Sequence, residues 1–397
     1  MEAYLLDWAN LLVRWVHLIA GIAWIGASFY FVMLDNSLKP PKKAEDAQRG
    51  VFGELWAVHG GGFYCSQKFL IGPKGEPLSN DLHWSKWEAY STWLSGMAML
   101  AVIYWVGASS YLIDNNVMAL SPAAAVAISI AFLIVGWVIY DMLCRNMIGK
   151  DSQLAAIVFV LVMVANYALH QVFSARGAYI HVGAMLGTMM AANVFFHIIP
   201  GQRRMVDQIR NGQAVDTMPG IIGKQRSVHN TYFTLPVLFI MISNHYPMTY
   251  ANKHGWLVLA VLMLAGVLIR QFFVLRHRGQ VKWWLPAAGV ALIGLLIVLM
   301  APKAVDASGD KVSFATVRQV LDQRCVSCHA DKPTHEGFAQ APKGVMLETP
   351  EQIAQHAPKM AETIASGYMP LANLTEMTDS EREAIAVWFA QGARTAD

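Results

Sequence analysis

The sequence predicts an all-α fold: a polytopic membrane helix bundle of about eight transmembrane helices, followed by a small helical domain. Three observations predict it. The chain is 55% hydrophobic and only 14% charged, whereas a soluble domain carries about 25% charged residues to cover its surface. Eight stretches are long enough and apolar enough to cross a bilayer. After Pro302 the composition turns polar and the charge changes sign. From Val305 onward there are 8 basic and 13 acidic residues, a balance of −5, while the preceding part stands at +8. The overall charge of +3 is too small to argue for a nucleic-acid partner. Thirteen Trp and 21 Met suit a bilayer protein with aromatic belts.

The apolar runs are Trp15–Leu34, Ala89–Ile113, Asn115–Tyr140, Ser152–Ala175, Gly177–Gln202, Ser227–Asn252, His254–Ile269 and Trp283–Pro302. The seventh is the shortest and continues past Arg270, whose long side chain snorkels from the last turn. The first run has no small-residue cleavage site, so it is read as a retained helix. With connections assigned to alternating sides, one side holds 18 Lys and Arg residues, among them Lys39, Lys68, Lys86, Arg145, Arg226 and Arg278. The other side offers Arg176 and Lys253, with Arg14 and Lys303 at helix ends. The excess of positive charge places the first side in the cytoplasm of a bacterial inner membrane and both termini in the periplasm. Residues 1–302 form the membrane domain, 303–311 a polar linker and 312–397 the terminal domain.

That terminal domain shows helical patches at Phe314–Asp322, Pro350–Ser366 and Ser380–Gln391, too little apolar sequence for a large core. Its staple is written in Cys325-Val326-Ser327-Cys328-His329, the C-x-x-C-H pattern of c-type haem attachment. The two thiols form thioethers to the haem vinyls and His329 becomes the proximal iron ligand. Met369, in Gly367-Tyr368-Met369-Pro370, is the expected second axial ligand, with Met346, Met360 and Met377 as competitors. Methionine ligation raises the reduction potential and suits an electron carrier. A disulfide or half a zinc site is the alternative for the cysteine pair, but no second C-x-x-C exists. Cys65 and Cys144 fall on the cytoplasmic side as free thiols.

Ionisable residues inside a membrane are functional candidates. His170, His181 and His245 fall near periplasmic helix ends, with His17 some way into the first helix. His59, His83, His197 and His229 fall at or near the cytoplasmic face. Two histidine layers a membrane apart are what b-type haems carrying electrons across the bilayer would need, and His17, His170, His181, His197, His229 and His245 are the candidate ligands. The plainer alternative is interfacial placement or hydrogen bonding between helices. In the cytoplasmic connection, Glu54–Lys68 contains Gly60-Gly61-Gly62, and His83-Trp84-Ser85-Lys86-Trp87-Glu88 follows. Consecutive glycines allow close approach of backbone to a ligand. Tyr64, Trp84 and Trp87, with Lys68, Lys86 and Gln67, suit a flat anionic heterocycle. An amphipathic interfacial helix is the alternative there.

The chain resembles the membrane-bound urate hydroxylase (urate oxidase) family of bacteria. The likeness rests on Arg14–Gly26 (RWVHLIAGIAWIG), Leu55–Tyr64 (LWAVHGGGFY), Trp84–Tyr90 (WSKWEAY), His229-Asn230-Thr231-Tyr232 and the terminal C-x-x-C-H. The first helix, with His17, also resembles that of membrane protoporphyrinogen oxidases over a shorter span. The resemblance implies oxidation of urate to 5-hydroxyisourate in purine breakdown. Electrons would leave through the fused cytochrome to a soluble cytochrome c or a terminal oxidase, with no hydrogen peroxide formed. Urate is a planar anion made in the cytoplasm, so its site is expected among His59, Lys68, His83, Lys86 and His229, with a histidine accepting the proton lost on oxidation. A membrane relay that carries electrons from a quinol or a partner protein, and porphyrinogen oxidation, are the other readings.

Overall fold

The apolar runs are mainly helical in the computed structural model, which describes residues 2–301, 305–335, 338 and 340–395, although 115–121 and 244–246 are not. Helix α1 spans Glu2–Ser37 and α3 spans Trp87–Leu100, extended by π-helical turns at Ala101–Trp105 and Ala108–Leu112. Helix α4 is Pro122–Asn146, α5 is Asp151–His170 and α6 is Ala175–Ala192. A π-helical segment, Asn193–Ile198, joins α6 to α7, Ile199–Arg210. Then come α8 (Met218–Ser243), the single turn α9 (Pro247–Tyr250), α10 (Gly255–His277) and α11 (Trp284–Leu299). Among the described residues, five helical stretches are long and apolar enough to cross a membrane: Tyr4–Ser37, Pro122–Asn146, Asp151–His170, Ala175–Arg210 and Gly255–His277. Trp284–Leu299 is apolar but shorter.

Helix α6 is the centre of the bundle. Tyr179, Val182, Met185, Leu186 and Met189 are almost fully buried. Glycines let its neighbours close in: a Cβ on Gly136 of α4 would stand 2.6 Å from Met185 Sδ, and one on Gly183 would stand 2.7 Å from Ile240 of α8. Small residues at such crossings bring helices into van der Waals contact where lipid removes the hydrophobic drive. Helix α1 lies at the edge, with Leu11, Trp15, Ile19 and Ile22 exposed.

Polar contacts sort the connections into two ends. At one end Asp35 accepts from Lys68 and Lys224, both at 2.5 Å, and Arg278 donates to Asn36. At the other, Arg176 donates to Asn244 and Ser174 to the Tyr111 carbonyl. The end of α1, the hairpin, the start of α8 and the end of α10 thus gather at one end, and the end of the α3 stretch, the start of α6 and the end of α8 at the other.

One departure from an all-helical reading lies between α1 and α3. After the short helix α2 (Ala44–Gln48), Val51–His59 (β1) and Gly62–Phe69 (β2) form an antiparallel hairpin. Val51, Phe52, Trp56 and Val58 favour a pleated strand. Gly60 and Gly61 both take positive φ, 58° and 79°, which a two-residue hairpin turn requires. The glycines thus serve the turn, and nothing stands within 4 Å of a Cβ built on any of the three.

Beyond α11 the chain makes a second, smaller core. Helices α12 (Phe314–Arg324), α13 (Pro350–Ala365) and α14 (Asp379–Ala390) match the predicted patches closely. Thr349 with Gln352, and Thr378 with Glu381, form capping boxes that start α13 and α14. Val317, Leu321, Ile353, Ile364, Ile385 and Trp388 fill the core. The Gly367–Asn373 loop meets the membrane bundle at the end opposite the hairpin, where a Cβ on Gly367 would stand 3.0 Å from Ala251. Pro302, Lys303 and Ala304, at the expected start of the linker, lie outside the described residues.

Candidate functional site

At the hairpin end of the bundle, α4, the π-helical segment and α8 bring a polar cluster together inside an apolar frame. Asp141 of α4 is its hub. Its Oδ1 accepts from His197 Nε2 at 2.6 Å and from Arg226 Nη2 at 2.7 Å, and its Oδ2 accepts from Arg145 at 2.6 Å. Arg226 is 1% exposed, and a buried charge is tolerated only when paired and hydrogen-bonded. Its Nη1 donates to Asn193 Oδ1 at 3.2 Å and its guanidinium lies 5.2 Å from the Tyr140 ring centroid. Asn193 Nδ2 donates to Tyr140 Oη and to Asn230 Oδ1, each at 2.9 Å. The Asn193 amide supplies that hydrogen, which leaves the Tyr140 hydroxyl to donate to His229 Nδ1 at 2.9 Å. The π-helical segment sets Asn193 and His197 toward this cluster, and such segments recur at functional sites.

A carboxylate only accepts, so the His197–Asp141 contact puts the ring proton on Nε2 and leaves Nδ1 as the basic nitrogen. A histidine oriented by a buried carboxylate is the arrangement of a general base. Beside it a cavity of about 270 Å³ is lined by Cys144, Arg145, Ile148, His197, Ile222 and Arg226. It lies just under the size range of ligand pockets. The Nε of Arg226 is buried there without a hydrogen-bond partner.

The expected site residues do not all converge here. His229 belongs to the cluster, and His197 joins it as a partner of Asp141. His59 is exposed at the hairpin turn and His83 is exposed before α3. Lys68 pairs with Asp35, and Lys86 lies 5.9 Å from the Trp87 ring centroid, beside its chain neighbour. Asn230 is in the cluster, whereas Tyr64 and Trp87 are exposed. The opposite histidine layer is likewise mixed. His181 donates Nδ1–H to the Gly177 carbonyl at 2.7 Å and its Nε2 receives the Ser129 hydroxyl at 2.6 Å, so both ring nitrogens are engaged. His17 donates from Nδ1 to the Thr92 carbonyl at 3.0 Å and packs where Gly96 leaves room. His245 is exposed. His170 donates Nδ1–H to the Asn166 carbonyl at 2.8 Å, and its buried Nε2 has no partner.

In the terminal domain, Cys325, Cys328 and His329 lie on one turn at the end of α12, closed by bonds from Cys328 N and His329 N to the Cys325 carbonyl. Both thiols are free, and burial pushes the Cys325 thiol up to about 12. His329 Nδ1 donates to the Val345 carbonyl at 2.9 Å, which orients the ring and leaves Nε2 for a ligand. These residues fit a covalently held haem. Met360 and Met377 are buried in the apolar core, while Met369, like Cys325, packs at its margin. A bare metal ion has no such seat: among the described residues no three His, Cys, Asp or Glu side chains converge to hold one.

Asp141, Arg226, Asn193 and Tyr140 were not singled out from the sequence. Charge-free runs end, by construction, just before Asp141 and begin just after Arg226. An Asp one residue beyond an apolar run of 26 was the available signal, since a lone carboxylate at that depth needs a partner.

Among known protein families, the one described as urate oxidase N-terminal matches residues 3–301. No curated protein and no solved structure matches the chain.

Proposed function

The chain belongs to the urate oxidase N-terminal family, and on that premise we propose that it oxidises urate to 5-hydroxyisourate in purine breakdown and releases the electrons through its C-terminal domain, without hydrogen peroxide. The observation that carries the reading is the match over residues 3–301, which covers the whole helical bundle and its buried polar cluster. The reaction balances as urate plus water giving 5-hydroxyisourate, two protons and two electrons. Urate and water thus supply every atom, and the protein must remove protons and electrons separately.

The protons fall to side chains on hand. Asp141 holds His197 Nε2–H and leaves Nδ1 as the nitrogen that can accept one. Cys325 and Cys328 would hold a haem c covalently, His329 and Met369 would be the side chains offered to its iron, and residues 312–397 would then carry the electrons away. A haem c held there supplies a one-electron acceptor of raised potential. His170, at the end of α5 away from the hairpin and with an unpartnered Nε2, would be the membrane histidine to offer a ligand to a b-type haem. The excess of Lys and Arg in the connections on the hairpin side supports a cytoplasmic hairpin end, where urate is made, and a periplasmic C-terminal domain. There it meets a soluble cytochrome c or a terminal oxidase.

Membranes carrying the protein, supplied with urate and ferricyanide, test the reading. Urate-dependent ferricyanide reduction with formation of 5-hydroxyisourate is the expected result. Reduction by a quinol or a porphyrinogen, with urate inert, would overturn it.

A further inference from the structure

Arg226 and Arg145 share the single carboxylate of Asp141: the Arg226 pair is buried, while the Arg145 side chain is 65% exposed. Both guanidinium groups line the cavity, and Asp141 already accepts from each of them and from His197, so the local charge there favours an anion. Arg226 also keeps one donor, Nε, buried and without a partner beside the cavity. Nη1 donates to Asn193 and Nη2 to Asp141, so Nε is the guanidinium donor left over, and it can give an anion one charge-assisted hydrogen bond.

We propose that the cavity between α4, the π-helical segment and α8 is the seat of a planar purine monoanion, anchored by Arg226, with His197 taking its proton. This rests on the reading of the protein as a urate oxidase and deepens it by naming the binding site. The occupant is an oxypurine anion for three reasons. The cavity, about 270 Å³, suits a compact bicyclic ring. Ile148 and Ile222 offer apolar walls, while the polar groups line the remainder. Among the described residues that line the cavity there is no carboxylate, and both oxygens of Asp141 behind it are already bonded, so a cation would find no free carboxylate ligand there. Asp141 acts as a positioning residue that holds both Arg226 and the proton-bearing Nε2 of His197. Asn193 couples this half of the cluster to Tyr140 and His229.

The test uses the full chain, purified with its haem content measured. In Arg226→Gln the apparent KM for urate rises at least tenfold, or turnover is lost. Arg226→Lys keeps the charge but not the fork, so KM rises with a smaller change in kcat. In His197→Gln kcat falls at least about tenfold with KM held within about twofold, and the acid limb of the kcat profile disappears. Ile222→Trp fills the cavity without touching an ion pair, so it remains informative if an Arg226 variant does not fold; its KM rises as well. Xanthine, an oxypurine that lacks the 8-oxo group, raises the thermal midpoint of the unaltered protein but not that of Ile222→Trp or Arg226→Lys. If urate is turned over by the unaltered protein while Arg226→Lys and Ile222→Trp keep its KM and its xanthine response, the site lies elsewhere. If the unaltered protein does not turn over urate at all, the underlying reading fails instead.

Discussion

Asn193 stands between Arg226 and Tyr140, accepting from the guanidinium at 3.2 Å and donating to the phenol at 2.9 Å. Through that one amide the ion-pair half of the cluster, Asp141 with His197, and the Tyr140–His229 half become a single network. Buried networks of this kind are costly to break at any member, because each loss strands a polar group.

Asp141 should therefore matter far more than the number of its ion pairs implies. Replacing it with Asn leaves Arg226 buried without its counter-charge, a loss of about 3 kcal/mol or more. Arg145 is 65% exposed, and its pair is worth about 1 kcal/mol or less. We expect Asp141→Asn to lower the thermal midpoint in detergent by several degrees, and Arg145→Gln to leave it nearly unchanged. Equal effects would show that the cluster is not the buried unit described.

The hairpin residues should prove dispensable for chemistry. His59 and His83 are exposed and neither is a hydrogen-bond partner of the cluster, so His59→Ala and His83→Ala should leave urate KM and kcat within about twofold. His229→Ala should cut turnover at least tenfold, because it strands the Tyr140 hydroxyl that donates to it. Steady-state kinetics with urate on protein of unchanged haem content separates the two groups.

Arg382 of α14 should decide whether Met369 reaches the haem iron. Its guanidinium donates to the Met369 carbonyl at 2.7 Å, the Ile364 carbonyl at 3.1 Å and Asn373 Oδ1 at 3.1 Å. The loop it clamps holds Ala372 and Asn373 at φ 48° and 51°, a region that side chains resist and that persists only when the surroundings enforce it. Arg382→Gln should retain covalent haem yet lose most of the weak methionine-to-iron charge-transfer absorption and show a lower potential. Met369→Ala defines complete loss. A full-strength band in Arg382→Gln would remove the clamp from the account.

Acid should unfold the C-terminal domain partly through Glu381. Burial alone would raise its carboxyl, but the Thr378 backbone N–H and Arg324, at 3.0 Å, hold it below the ordinary value. A depressed carboxylate contributes stability that is present above its unfolded pKa of about 4.3 and is lost as pH falls through the folded value. In Glu381→Gln the domain should be less stable at neutral pH and lose less on acidification below about pH 4.3. Circular dichroism of the haem band against pH reads both.

Much of the fold was legible because bilayer-length apolar runs and capped amphipathic helices obey local rules. Thr349 with Gln352 and Thr378 with Glu381 mark helix starts that the chain then uses. The attachment turn at Cys325–His329 was equally local. The hairpin was not foreseen, since Gly60–Gly62 could serve a ligand or a turn and only the strand pairing decides between them. The Asp141 cluster escaped for a different reason. Its members come from three helices separated by up to 90 residues, and their meaning lies in charge pairing across the bundle, to which periodicity is blind.

The central claim is that urate oxidised at the hairpin end sends its electrons to the domain at the other end. Anaerobic titration of the oxidised full-length protein with urate, followed by the haem c absorption, tests it most directly. The account predicts reduction of haem c by substoichiometric urate, each urate supplying two electrons, with no hydrogen peroxide when air is admitted during turnover. Urate consumed with matching hydrogen peroxide while haem c stays oxidised would contradict it.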